Sequence, residues 1–195
     1  MTPTKDERRI QILQAALGAF SENGYAKTTM DDIVKRSELS KGTLYWYFHN
    51  KQKLFIATIE FAFQDFDQQL SHLVKQEVSA TERLRTFFVQ AGELICSNKQ
   101  FVGFLVDSFF QAYQIDDAME TMRRLYQNYI TSVETIIQQG IDQGEFREVD
   151  PHTVAISLMA GGDGVALYVL IEPDWNIPQA YVTMVDLILR GLQKE

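Results

Sequence analysis

Between Ser40 and Leu54 the sequence SKGTLYWYFHNKQKL crowds together hydroxyls, ammonium groups, polar-tipped rings and one glycine. At about 100° per residue, a helix from Lys41 to Phe48 turns Leu44 and Phe48 to one side as an i, i+4 apolar pair. Gly42, Tyr45, Trp46 and His49 fall on the other side, with Lys41 at its edge. Large rings on an outward face are costly for a lone soluble domain unless they meet something. Thr28, Ser40 and Thr43 add hydroxyls, and Lys27, Lys35, Arg36, Lys51 and Lys53 add positive charge. Such a helix, about 12 Å long at 1.5 Å per residue, suits a DNA major groove with phosphates on both rims. On this reading Lys41, Gly42, Thr43, Tyr45 and Trp46 meet base edges, and Thr28, Ser40, Tyr47, Lys51 and Lys53 meet phosphates. The same spacing also admits Trp46 and Tyr47 packed on the first helix, with the cations an ordinary solvated surface.

Catalytic constellations are missing by comparison. His49, His72 and His152 lie on separate segments without metal-ligand spacing, and Cys96 has no evident histidine partner. The Gly161-Gly162-Asp163-Gly164 run lacks the preceding strand that phosphate binding requires. No enzyme activity, cofactor or metal is expected. Cys96 alone forbids an internal disulfide and fits a reducing compartment, as an inert buried thiol.

The elements that must position the candidate residues are helices. Thr4 caps a first helix to about Glu22, ended by Asn23-Gly24, whose Arg8 and Arg9 either reach phosphate or are solvated. Thr29, followed by Asp31 and Asp32, opens a second and joins the DNA-facing set as its cap. Ser40 opens the third, and Asn50 caps a long fourth to about Gln76, with Phe55, Ile59, Phe63, Phe66, Leu70 and Leu73 along it. Its first turn offers backbone amides with Lys51 and Lys53 to a phosphate. Further helices are expected over about 81–97, 101–113, 116–143 (capped by Asp116), 151–171 (stopped before Pro173 and Pro178) and 179–192. No alternating strand is evident. The fold class is therefore all-α, with about nine helices.

Net charge is −8 over 195 residues, which first speaks against nucleic acid. Yet through Phe55 there are nine Lys or Arg against six Asp or Glu, and nine against twenty beyond it. The acidic body repels DNA and helps orient the basic end. The apolar run from Val154 to Ile171 is long enough to ask about a membrane, but holds three glycines and Asp163, whose carboxylate costs ~2.5–3.5 kcal/mol at mid-bilayer. No membrane span is expected, and with a polar start lacking a signal peptide the protein is expected in the cytoplasm.

The stretch from Ser40 to Leu54, with TTMDDIV before it and AALGAFSENGYAKTT from Ala15, closely resembles the helix-turn-helix of the tetracycline-repressor (TetR) family. The likeness is specific over about the first quarter of the chain. One departure is Ser37-Glu38-Leu39 where the family often has Ala-Gly-Val: Glu38 replaces a turn glycine and brings negative charge near DNA, which reads as a tuning of affinity. The resemblance implies a three-helix DNA-binding domain over residues 1–52 and a larger ligand-binding and dimerisation domain over 53–195. It also implies a homodimeric repressor that leaves a palindromic double-stranded operator when a small-molecule inducer binds. The rival is an all-α dimeric protein-interaction module without DNA binding.

Two helices near the end are apolar beyond what one face needs. Their expected pairing surface is Leu158, Gly161, Gly162, Val165, Tyr168, Met184, Ile188 and Leu192, although the glycines also fit a crossing within one chain. The expected ligand pocket takes Phe63, Phe66, Phe88, Phe104, Phe110 and Tyr126, with Asp107, Glu134 and Asp163 as carboxylates in apolar settings that must pair, neutralise or reach solvent. Lipophilic cations and neutral or acyl lipophiles both fit that description.

Overall fold

The structure, a computed structural model, describes residues 4–172 and 174–194, with the side chains of Asp65 and Asp116 left aside. The expected stop at Pro173 and cap by the Asp116 side chain lie outside the described residues. Among those residues the chain forms nine helices and no strand: α1 Lys5–Lys27, α2 Met30–Ser37, α3 Lys41–Tyr47, α4 Lys51–Val74, α5 Ala80–Ser97, α6 Lys99–Ala112, α7 Asp116–Asp142, α8 Pro151–Ile171 and α9 Ile177–Leu192.

Their starts are written in capping residues. Thr4 and Thr29 each close a capping box, with Glu7 and Asp32 returning a carboxylate to the cap amide. Ser40, Ser79, Asp150 and Asn176 cap α3, α5, α8 and α9, and Asn50 Oδ1 accepts from Lys53 N at 2.8 Å. α1 is broken at Gly24 (φ 74°), a backbone only glycine adopts freely, so its last turn points away from the rod before it.

The chain divides into two compact units. The first runs through Gln64 and takes in Gly103–Leu125, so it holds α1, α2, α3, the first half of α4 and the ends where α6 stops and α7 starts. Its core is Ile12, Leu13, Phe20, Ile33, Leu44, Leu54, Phe55 and Phe104, with Phe20 and Phe55 edge to face at 5.1 Å. The second, Asp65–Val102 with Tyr126–Glu195, holds the rest of α4 and α7 with α5, α8 and α9.

Within the second unit, α5, α8 and α9 cross closely around Tyr181, which is 2% exposed and donates its hydroxyl to Gly162 O at 2.6 Å. A Cβ on Gly92 would sit 2.7 Å from the Tyr181 ring, and one on Gly161 2.7 Å from Met184 Sδ. Gly161 and Gly162 of α8 thus serve an approach of helices inside one chain. The turn after α7 is pinned as well: Glu145 accepts from Ala80 N and Thr81 N at 2.7 and 2.9 Å, and Arg147 N donates to Leu192 O at 2.8 Å. Between these anchors Phe146 plugs the space beside Gly140.

A Cβ at Gly140 would meet the Phe146 ring at 2.4 Å and Ala80 Cβ at 2.9 Å. Gly140→Ala is therefore expected to destabilise by about 2 kcal/mol through overpacking, read as a lower urea midpoint at unchanged slope.

Candidate nucleic-acid interface

The DNA-facing candidates stand on two short helices and the capped ends between them. Thr28 closes α1: its amide and its hydroxyl donate to Gly24 O at 3.3 and 2.8 Å, and the hydroxyl also to Ala19 O at 3.1 Å. Thr29, next in sequence, opens α2 by accepting from Asp32 N at 3.2 Å. Two adjacent threonines therefore end one helix and begin the next. The turn between α2 and α3 passes through Glu38 at φ 56°, ψ 19°, the one non-glycine in the left-handed region among the described residues. The position that a glycine would relax carries a glutamate and its strain.

From that turn α3 presents the expected two sides. Leu44 is fully buried and Phe48 nearly so, while Trp46 is 62% and Tyr45 38% exposed. Lys41 and Gly42 are exposed and Thr43 is half-buried. Ser40 Oγ accepts from Thr43 N at 3.0 Å and lies 2.8 Å from Thr43 Oγ1, so the two hydroxyls form one polar spot at the helix start. Tyr47 is half-buried and donates its hydroxyl to Lys5 O at 2.8 Å, and its ring meets Trp46 edge to face at 4.7 Å. The alternative of packing on α1 is thus realised by Tyr47 while Trp46 stays open.

The cations separate into those held in surface pairs and one drawn inward. Lys41 pairs with Asp31 at 2.7 Å and Lys53 with Asp117 at 2.6 Å, both in full view of solvent. Asp31 beside it holds the Lys41 ammonium above its ordinary pKa, chiefly through that hydrogen bond. Exposed pairs are worth about 0–1 kcal/mol, so a phosphate can take either ammonium at little cost. Lys51 differs. Its Nζ donates to Tyr25 O, Ala26 O and Thr28 O at 2.8, 3.4 and 3.0 Å and lies 4.3 Å above the Tyr25 ring. Partial burial draws its pKa below the usual lysine value. Thr28 is 1% exposed. These two positions, expected on phosphates, are drawn inward because the orphan carbonyls at the end of α1 need donors.

One contributor was not read from the sequence. Lys5 lies 5.0 Å above the Trp46 ring and, with Arg8, Thr43, Trp46 and Tyr47, lines a cleft of about 400 Å³ on the recognition side. The signal was the i, i+3, i+4 spacing of Lys5, Arg8 and Arg9. Of these, Arg9 sits 5.7 Å over Phe48.

The expected ligand residues are divided between the units. Phe63, Phe104, Asp107 and Phe110 fall in the first, and Phe66, Phe88, Tyr126, Glu134 and Asp163 in the second. Phe63, Phe66, Phe88 and Phe104 are buried, while Phe110 is 64% exposed. Each carboxylate has a partner: Asp107 accepts from Tyr25 N at 2.6 Å and from Gln111 Nε2 at 3.1 Å, Glu134 pairs with His152 at 3.1 Å, and Asp163 accepts from the Tyr126 hydroxyl at 3.0 Å. Desolvation among apolar neighbours pushes the Asp163 pKa up to about 6, against that hydrogen bond. Asp107 is an anchor for the broken end of α1, since α6 brings it to the Tyr25 amide beside Gly24.

The expected pairing residues divide too. Leu158, Gly162 and Leu192 are buried inside the chain, Gly161 faces Met184, and Val165 and Ile188 are half-buried, leaving Tyr168 exposed and stacked on Trp175 at 5.4 Å. The crossing of α8 and α9 uses that side. The outward stripe is one step round α8: Ile156, Ala160, Asp163, Leu167 and Ile171, with Leu187 at 65% exposure on α9. Cβ positions on Gly164 and Gly191 meet nothing within 4 Å. Its spacing of 4, 3, 4 and 4 was legible, but an all-apolar helix does not say which side its own chain covers. α8 is also long and apolar enough to cross a membrane, with 28% of its most apolar stretch buried.

A short exposed recognition helix, cationic at its edges and capped onto a scaffold of two others, defines a helix-turn-helix DNA-binding protein. The model of "Bacterial regulatory proteins, tetR family" matches residues 12–58, and that of "Tetracyclin repressor-like, C-terminal domain" matches 77–192. The chain belongs to the TetR family and is a DNA-binding transcriptional regulator. It is 28% identical over 172 residues to YfiR, an uncharacterized HTH-type regulator of Bacillus subtilis, covering 84% of this chain and 82% of that one. Its fold is that of SmeT, the repressor of a Stenotrophomonas maltophilia multidrug efflux pump, solved with triclosan (TM-score 0.84, 23% identity, 96% and 92% coverage). It is likewise that of Bacillus subtilis FadR in complex with stearoyl-CoA (TM-score 0.78, 19% identity, 94% and 99% coverage).

Lys51→Ala is expected to lower stability by about 2 kcal/mol by orphaning charge-assisted hydrogen bonds and to leave the salt slope of DNA binding unchanged. Urea unfolding and anisotropy titrations at several salt concentrations check both. Unchanged stability with a shallower slope would return its ammonium to a phosphate.

Proposed function

We propose that this regulator is a homodimeric repressor that holds a palindromic operator and leaves it when a lipophilic small molecule binds the C-terminal part. The single observation that carries the DNA half is the exposed Trp46 and Tyr45 face of α3, ringed by ammonium groups held only in surface pairs. Lys41, Gly42, Thr43, Tyr45 and Trp46 take base edges. Thr29, Ser40, Tyr47 and Lys53 take phosphates, joined by Lys5 and Arg8, while Thr28 and Lys51 support the scaffold. Residues 1–52 form the DNA-binding domain and 53–195 the ligand-binding and dimerisation domain.

One recognition helix reads too few bases for a selective site. A two-fold dimer doubles it and sets half-sites roughly 34–36 Å apart. The exposed stripe on α8 with Leu187 on α9 supplies the pairing surface, and two helices with open glycines approach closely there. That surface also accounts for the apolar length of α8 without a membrane. The protein acts in the cytoplasm and catalyses no reaction.

For the inducer, the partners of Asp107, Glu134 and Asp163 favour a neutral or acyl lipophile over a lipophilic cation, since each carboxylate already has a hydrogen-bond partner. SmeT with triclosan and FadR with stearoyl-CoA are relatives of that kind.

Fragments selected from a random DNA library provide the operator. Lys53→Ala is expected to weaken binding to all sequences and reduce the salt slope by about one. Trp46→Ala should relax preference at particular base pairs. Leu187→Glu should yield a folded monomer by sedimentation, with operator affinity at least tenfold lower. Binding that ignores salt would favour a protein-interaction module instead.

A further inference from the structure

Arg83, on α5, is 3% exposed yet makes no ion pair among the described residues. A guanidinium carries five N–H donors in a fixed fork. Here Nη1 donates to Val74 O at 3.1 Å and to Gln139 Oε1 at 2.5 Å, both neutral acceptors. Nε is out of water's reach and has no partner. The Nε–Nη2 edge, the edge that grips a carboxylate or phosphate by two parallel bonds, is therefore unfilled.

Arg83 lines a cleft of about 780 Å³ whose other walls include Lys75, Glu77, Ser79, Gln139 and Gln143. The volume lies in the range that takes small ligands. Two cations against one carboxylate make it positive, in a stretch of chain that is otherwise strongly acidic. Among the described residues Glu145 makes no ion pair with Arg83, its carboxylate accepting instead from the Ala80 and Thr81 amides. A buried permanent charge without a counter-ion is unfavourable, and an oxyanion arriving through the cleft removes that penalty.

We propose that this cleft is a second effector site, for a small polar molecule carrying a carboxylate or phosphate group, with the Arg83 fork as its anion clamp. The glutamines and Ser79 take the hydroxyls or amides of the ligand body. Such a molecule is chemically unlike a lipophilic inducer, so the site reports a different signal.

The test uses the full chain at constant ionic strength, with chloride replaced stepwise by inorganic phosphate or, separately, by acetate. Thermal unfolding and the Nε–Hε resonances of the arginines are followed. The expected result is a saturable rise in Tm with at least one of the two ions and a saturable shift of the Arg83 resonance. A phosphate response alone points to a phosphorylated ligand, an acetate response alone to a carboxylic acid. Lys75→Ala, at an exposed wall position, should weaken the response at least threefold, and Arg83→Gln should abolish it. Should Arg83→Gln fail to fold, Lys75→Ala and the resonance shift decide. Absence of a saturable response to either ion, or a response the same size in Lys75→Ala, overturns the proposal.

Discussion

The end of α1 is where this DNA-binding unit is made or lost. A helix leaves its last carbonyls without partners, and here that end lies at the turn that aims α2 and α3. Gly24 breaks the rod, Thr28 closes the carbonyls behind the break, and Lys51, from the first turn of α4, closes the three after it. α4 is thereby fastened to α1 by an ammonium set on the negative end of a helix, an arrangement favoured by the backbone dipole as well as by hydrogen bonding. Had these carbonyls been left to water, the recognition helix would have stood on a frayed support.

The same demand explains what could be read from the sequence and what could not. Caps are local, so Thr4, Thr29, Ser40, Asn50 and Asp150 announced their helices within a residue or two. Leu44 and Phe48 announced the inner side of α3 by spacing alone. The roles of Thr28 and Lys51 are not local: each depends on carbonyls at the end of α1, and for Lys51 these lie more than twenty residues away. A lysine beside a recognition helix has the same sequence signature whether it meets phosphate or its own backbone. Asp107 shows the limit most clearly, since its partner amide is 82 residues distant in sequence.

α8 illustrates a different limit. Amphipathic helices declare their buried side through periodicity, but a helix apolar all round has no polar side to subtract. Gly161, Gly162 and Leu158 looked like a pairing surface because small and apolar residues favour close approach wherever it occurs. The crossing with α9 takes that side, since Tyr181 needs the Gly162 carbonyl and the space beside Gly92. What remains outward is the stripe through Ile156, Leu167 and Ile171. Asp163 in its midst, with its raised pKa and the Tyr126 hydroxyl, keeps a polar point on an otherwise greasy surface.

How a ligand signal would reach α3 follows from continuity combined with one contact. α4, α6 and α7 each have residues in both compact units, but a continuous rod alone is no switch; an element with two arrangements is needed. The bend at Gly24 is held from outside by Asp107 of α6, which accepts from Tyr25 N. A charge-assisted hydrogen bond is worth about 1.5–3 kcal/mol, and couplings between sites typically amount to about 1–3 kcal/mol. The energy of that one bond is therefore of the size that a coupling between sites requires.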